Sequence, residues 1–134
     1  MITLKKAKEA LLASEKKAEE LGIEISTIIV DSYGIVIATS KMDGAIPISP
    51  KFAYEKAYTS ASLGLPSSEI AGFASEGKPY FGITDIFGGK LTVIAGGMPV
   101  KIGGKIIGGV GVGGSQDTSQ DALCAKAAAA VLEE

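Results

Sequence analysis

The chain has 134 residues, enough for one domain with one core, and 46% of them are hydrophobic, the mark of a folding sequence rather than a disordered one. Its net charge is −2, with an isoelectric point near 5.2, and all 13 basic residues are lysines. Without arginine there is no guanidinium to clamp a phosphate, and the scattered lysines form no basic patch interleaved with aromatics, so no nucleic-acid partner is expected. Without histidine, Ser-His-Asp and Cys-His chemistry is excluded, and the commonest neutral-pH base and metal ligand is missing.

Thr3 is a candidate N-cap, and Leu4, Ala7, Leu11, Ser14, Ala18 and Leu21 recur at helical spacing before a terminating Gly22. This segment is too charged for a signal peptide, and no apolar run reaches membrane-spanning length, so a cytoplasmic protein with no membrane partner is expected. Ile23 to Val30 and Ile35 to Thr39 are β-rich runs split by Asp31-Ser32-Tyr33-Gly34, the pattern of a hairpin. Asp43-Gly44 signals a turn, and Ser49-Pro50 places a capping side chain ahead of a proline at the first position of a second helix. That helix, running to about Gly64, has Ala53, Ala57, Ser60 and Ala61 along one side, with Tyr54 and Tyr58 on an adjacent line. A short third helix is expected from Ser67 to Ser75. Glu76 to Lys90, with Tyr80, Phe81 and Phe87 among glycines, is a candidate pocket-lining loop.

Leu91 to Ala95 reads as a strand, Gly96 to Pro99 as a bend and Val100 to Ile102 as a short strand. Gly103-Gly104 then turns into a glycine-rich strand, Lys105 to Gly114. Alternation along that strand puts Ile106, Gly108, Val110 and Val112 on one face and Gly109, Gly111 and Gly113 on the other, which is bare backbone. Asp117 and Thr118 can cap a final alanine-rich helix from about Thr118 to Leu132, with Asp121 three residues after Thr118 as in a capping box. Its alanines are the expected partners of the bare glycine face. The order helix, two strands, one or two helices, three strands, helix predicts an α+β domain with helices on an antiparallel sheet of about five strands.

Gly109, Gly111 and Gly114 match the spacing of a dinucleotide-binding loop, but no second βα unit follows them. Cys124 lies in an alanine-rich helical pattern and reads as a small core residue. Asp43 can face a cleft or simply form its turn. Tyr54 and Tyr58 can line a pocket or pack. Lys56 can pair with an acid or be solvated.

Lys41-Met42-Asp43-Gly44, Ala53 with Lys56-Ala57-Tyr58-Thr59-Ser60-Ala61, Gly96-Gly97-Met98-Pro99-Val100, Gly108 to Gly114 and Gln120-Asp121 follow one another in an order that resembles the GlcG/HbpS-like heme-binding-protein family. The same segments resemble the C-terminal domain of PduO-type cobalamin adenosyltransferases. The resemblance spans nearly the whole chain and implies one GlcG/HbpS-like domain over 1–134. It further implies a profilin-like fold, assembly into homo-oligomers from dimer to octamer, and in some members binding of heme. Carried over residue by residue, it points to Asp43, Gly44, Lys56, Thr59, Gly97, Pro99 and Gly111; Tyr58 and Phe81 join these as candidate ligand contacts from the second helix and the aromatic loop. With no histidine, an axial ligand to heme iron would come from Tyr, Cys, Met or Lys. The leading expectation is a small oligomeric binding module for a small organic ligand or tetrapyrrole. The alternatives are a small enzyme using Asp43 and Lys56 as acid and base, and a purely structural self-assembling domain.

Overall fold

The computed structural model describes all 134 residues. Helix α1 (Leu4–Leu21) begins where the Thr3 hydroxyl accepts from Lys6 N–H at 3.1 Å and ends at Gly22 in the left-handed conformation. Strands β1 (Ser26–Asp31) and β2 (Val36–Lys41) form the expected hairpin. Helix α2 (Ser49–Leu63) follows, then the short helix α3 (Ala71–Ala74) and an irregular stretch to Gly96. Strands β3 (Gly97–Ile102) and β4 (Lys105–Gly113) are joined by Gly103 and Gly104, both at positive φ as a tight hairpin requires, and helix α4 (Thr118–Leu132) closes the chain.

The sheet has four strands in the order β2-β1-β4-β3, all antiparallel, rather than about five. Leu91 to Ala95 does not pair. Its Thr92 N–H is instead taken by the Thr59 hydroxyl at 2.9 Å, which ties this stretch to α2. Gly97 to Pro99, read as a bend, belongs to β3; Pro99 is tolerated there because β3 is an edge strand.

Side-chain alternation sorts the core into two layers. Ile29, Val110 and Val112 pack with Ala7, Ala10, Ala18, Cys124, Ala125 and Ala128 on the face covered by α1 and α4, while Ile28 and Val30 pack with Ala53, Ala57 and Ala61 of α2 on the other. The glycine face of β4 is therefore covered by α2, and the expectation that α4 would dock there is overturned. A Cβ on Gly109 would stand 2.6 Å from the Ala57 carbonyl oxygen and 2.9 Å from the Ala61 nitrogen. On Gly111 it would strike the Ala53 carbonyl, and on Gly113 it would lie 2.8 Å from the Ser49 carbonyl. Both helices carry small residues; strand parity decides between them, because the α4 side of β4 is the side bearing Val110 and Val112. Across the ladder Gly109 faces Val30 and Gly111 faces Ile28, so α2 seats in a trough beside a β-branched ridge on β1.

Two capping expectations also change. Ser49 lies inside α2 rather than before it; its hydroxyl donates to Ile46 O at 2.7 Å and shares a hydrogen bond with Ser26, while α2 starts without a side-chain cap. In α4 the N-cap is Asp117, one of the two expected caps, whose carboxylate accepts from Ser119 N–H at 3.0 Å; what changes is the capping box. Asp121 closes no capping box and is buried.

Candidate functional site

Because the small residues of α2 face the sheet, its larger side chains emerge along two flanks. On one flank an open groove of about 420 Å³ runs between α2 and the turn at Gly88 to Lys90, lined by Ile28, Pro50, Lys51, Tyr54, Glu55 and Lys90. Its volume lies in the range of organic-ligand sites. Tyr54 and Tyr58, one helical turn apart, have ring centroids 6.0 Å apart, and the Lys90 ammonium sits 5.5 Å above the Tyr58 ring. Tyr58 also lies over Gly34, where a Cβ would come within 2.6 Å of its ring.

The other flank points inward. Lys56 is 2% exposed, and its Nζ donates to Val112 O at 2.9 Å and to Asp121 Oδ2 at 3.2 Å. Asp121, 1% exposed, accepts from Ser115 N–H through Oδ1 at 3.1 Å. Burial lowers the Lys56 ammonium from its ordinary range against the opposing attraction of Asp121, and burial raises the Asp121 carboxyl against the attraction of Lys56. A smaller cavity of about 140 Å³ opens beside this pair, between Phe52, Ile94, Ser115 and Thr118.

The remaining candidates are dispersed. Asp43 is exposed and lines a surface depression with Glu15, Glu19 and Glu24; Gly44 beside it donates its N–H to Glu24. Asp43 and Lys56 thus line different cavities, so they do not form the acid and base pair of one cleft. The Thr59 hydroxyl donates to Glu55 O at 2.7 Å while accepting from Thr92. Gly97 donates to the Ser67 hydroxyl at 2.8 Å and passes so close to the Lys56 carbonyl that a side chain there would collide with it. Pro99 lies opposite Gly109 in the ladder, and Phe81 is 58% exposed on the loop between α3 and β3. Cys124 is buried among core residues, as expected, and burial pushes its thiol up to about 11.

Sequence reasoning missed Asp121 as the partner of Lys56 and missed Lys51 and Lys90 at the groove. One signal for the first was present: Lys56 adjoins the small-residue face of α2, with Ala53 and Ser60 one turn away on either side, and a lysine that close to a helix–sheet contact needs a carboxylate beside it.

Fold and cavities together define a small α+β module, a four-stranded antiparallel sheet with ligand-sized cavities along one covering helix. A family model described as "Haem degrading protein HbpS-like" matches residues 2–130, and the chain belongs to that family. It is 35% identical to Protein GlcG of Escherichia coli strain K12 over 106 residues, covering 79% of this chain and 76% of that protein. The crystal structure of a double mutant of HbpS from Streptomyces reticuli superimposes with a TM-score of 0.90 at 34% identity, covering 99% of this chain and 88% of the other. The crystal structure of a PduOC:heme complex shares the fold, with a TM-score of 0.91 at 24% identity over 99% of both chains. No helix is long and apolar enough to cross a membrane.

Proposed function

We propose that this protein is a binding module for a planar, carboxylate-bearing organic ligand of the tetrapyrrole class, held in the groove along α2. The observation that carries this reading is the groove itself: an apolar floor of Ile28 and Pro50, an aromatic wall at Tyr54, and two lysines, Lys51 and Lys90, placed to meet carboxylates. The family to which the chain belongs, and the heme complex of its structural neighbour PduOC, support the same class.

The groove holds two kinds of heme donor, tyrosine and lysine. Cys124 is buried with its thiol protonated, Met42 Sδ accepts from Ile25 N–H at 3.4 Å, and Met98 packs against the core. Of the groove's two kinds, tyrosine is an established axial ligand, so Tyr54 is assigned to the iron and the charged Lys51 and Lys90 to carboxylates. Tyr54 would hold the iron and Lys51 and Lys90 the propionates, while redox chemistry would be the bound group's own contribution. The exposed side chains of Ile35, Val36, Tyr80, Phe81, Ile86 and Phe87 support a homo-oligomer.

Hemin titration followed in the Soret region tests the reading. Saturable binding is expected, with the band moved in Tyr54→Phe and the affinity weakened in Lys51→Ala/Lys90→Ala. A Soret spectrum unchanged from free hemin at equimolar protein refutes the tetrapyrrole ligand. Native mass spectrometry of protein purified from its own cells reads ligand mass and assembly together, and a ligand-free monomer would refute the oligomeric module.

A further inference from the structure

The Lys56 side chain leaves α2, passes Gly96 so closely that a Cβ there would lie 2.8 Å from its Nζ, and ends at the wall of the smaller cavity. An ammonium has three N–H donors; Val112 O and Asp121 Oδ2 take two of them and the Phe52 ring centroid lies 5.9 Å from the nitrogen, which leaves one N–H without a hydrogen-bond acceptor. A buried ion pair is commonly no more stabilising than a packed apolar pair, so the placement of this one beside an open space invites a chemical reading. The cavity, about 140 Å³, accommodates a molecule of about two to four carbon atoms, given that a water takes about 30 Å³ in the liquid.

We propose that Lys56 is a carbonyl-capturing lysine that forms an imine with a short-chain aldehyde entering this cavity. The amine lone pair adds to the carbonyl carbon, and the carbonyl π pair moves to oxygen. Asp121, within 3.2 Å of Nζ, takes a proton from the adduct nitrogen and passes it to that oxygen. The nitrogen lone pair then forms the C=N bond as the hydroxyl leaves with the second amine proton, again relayed by Asp121. One water is released and nothing is oxidised or reduced. Burial lowers the Lys56 amine, which favours the free base that adds to the carbonyl. The site shares no residue with the groove, so it stands or falls independently of the ligand proposed there.

The full-length protein is incubated at neutral pH with propionaldehyde and sodium cyanoborohydride, digested, and its alkylated lysines are quantified by mass spectrometry. Lys56 should label faster than exposed Lys5 and Lys8, since burial lowers its ammonium and so raises its free-base fraction at this pH. Asp121→Asn should slow labelling at Lys56 alone. Ile94→Trp, at a cavity residue that is 40% exposed and outside the ion pair, should block labelling at Lys56 while circular dichroism remains native. Lys56 labelling no faster than Lys5 in the folded protein, or labelling unchanged in Ile94→Trp, overturns the proposal.

Discussion

Gly111→Ala tests the contact on which the fold turns. The added methyl points straight at α2, into the Ala53 carbonyl and to 2.5 Å from the Ala57 nitrogen. Both are backbone atoms of a helix, so no flexible side chain can yield, and relief requires α2 to lift from the sheet and loosen its seat on Gly109 and Gly113 as well. Overpacking of a tight core costs about 1–3 kcal/mol, with backbone collisions at the upper end or beyond, so a loss of at least about 3 kcal/mol is expected out of a total of about 5–15. At an unfolding entropy of about 2.1 cal/mol/K per residue, this chain length converts that loss to a fall of roughly 10 °C in Tm. Gly104→Ala is the control: it meets open space and bears only the strain of φ +79°, about 1–2 kcal/mol. Thermal and urea melts followed by circular dichroism compare the two. A Gly111→Ala protein that melts no lower than Gly104→Ala would refute the backbone-to-backbone seat.

Lys56→Met should lose about 3–5 kcal/mol by leaving Asp121 buried and unpaired, whereas Lys56→Met with Asp121→Leu should regain most of that; strictly additive losses in urea titrations would show that the pair is not coupled. Cys124 should resist thiol reagents at pH 8 in the folded protein and react only on unfolding. Its thiol is held up to about 11 from an ordinary 9.0, so the folded state keeps a proton that the unfolded chain releases, and stability should fall by about 2 kcal/mol as pH rises from 9 to 11. Urea midpoints across that range should fall more steeply for the native protein than for Cys124→Ala, and parallel curves would contradict the shift.

Periodicity and turn chemistry were enough to place α1 with its Thr3 cap, both hairpins and α4, because each of these rests on residues close together in the chain. The alternation along β4 was also legible, down to which glycines share a face. Which helix fills that face was not, since Ala53, Ala57 and Ala61 in α2 and Ala125, Ala128 and Ala129 in α4 present the same small surface; the choice depends on handedness of connection and strand parity, which are properties of the assembled sheet. Lys56 stood out through family resemblance, but its partner Asp121 lies 65 positions away and carries a local pattern that suits a cap just as well. The strand expected at Leu91 to Ala95 has the right residues and lacks a neighbour, because Pro99 and the rest of β3 already occupy the edge beside β4.

The seat of α2 on β4 consists almost wholly of main chain, and this separates what must stay fixed from what is free to diverge. The residues of β4 that hold the helix in place have no side chains to vary, while Lys51 and Glu55 project from the same helix into the groove without taking part in the seat. Exchanging them reshapes the groove over an unchanged scaffold. In such a protein ligand preference can be rewritten along one flank of a helix, with stability held constant by residues that have almost nothing to mutate.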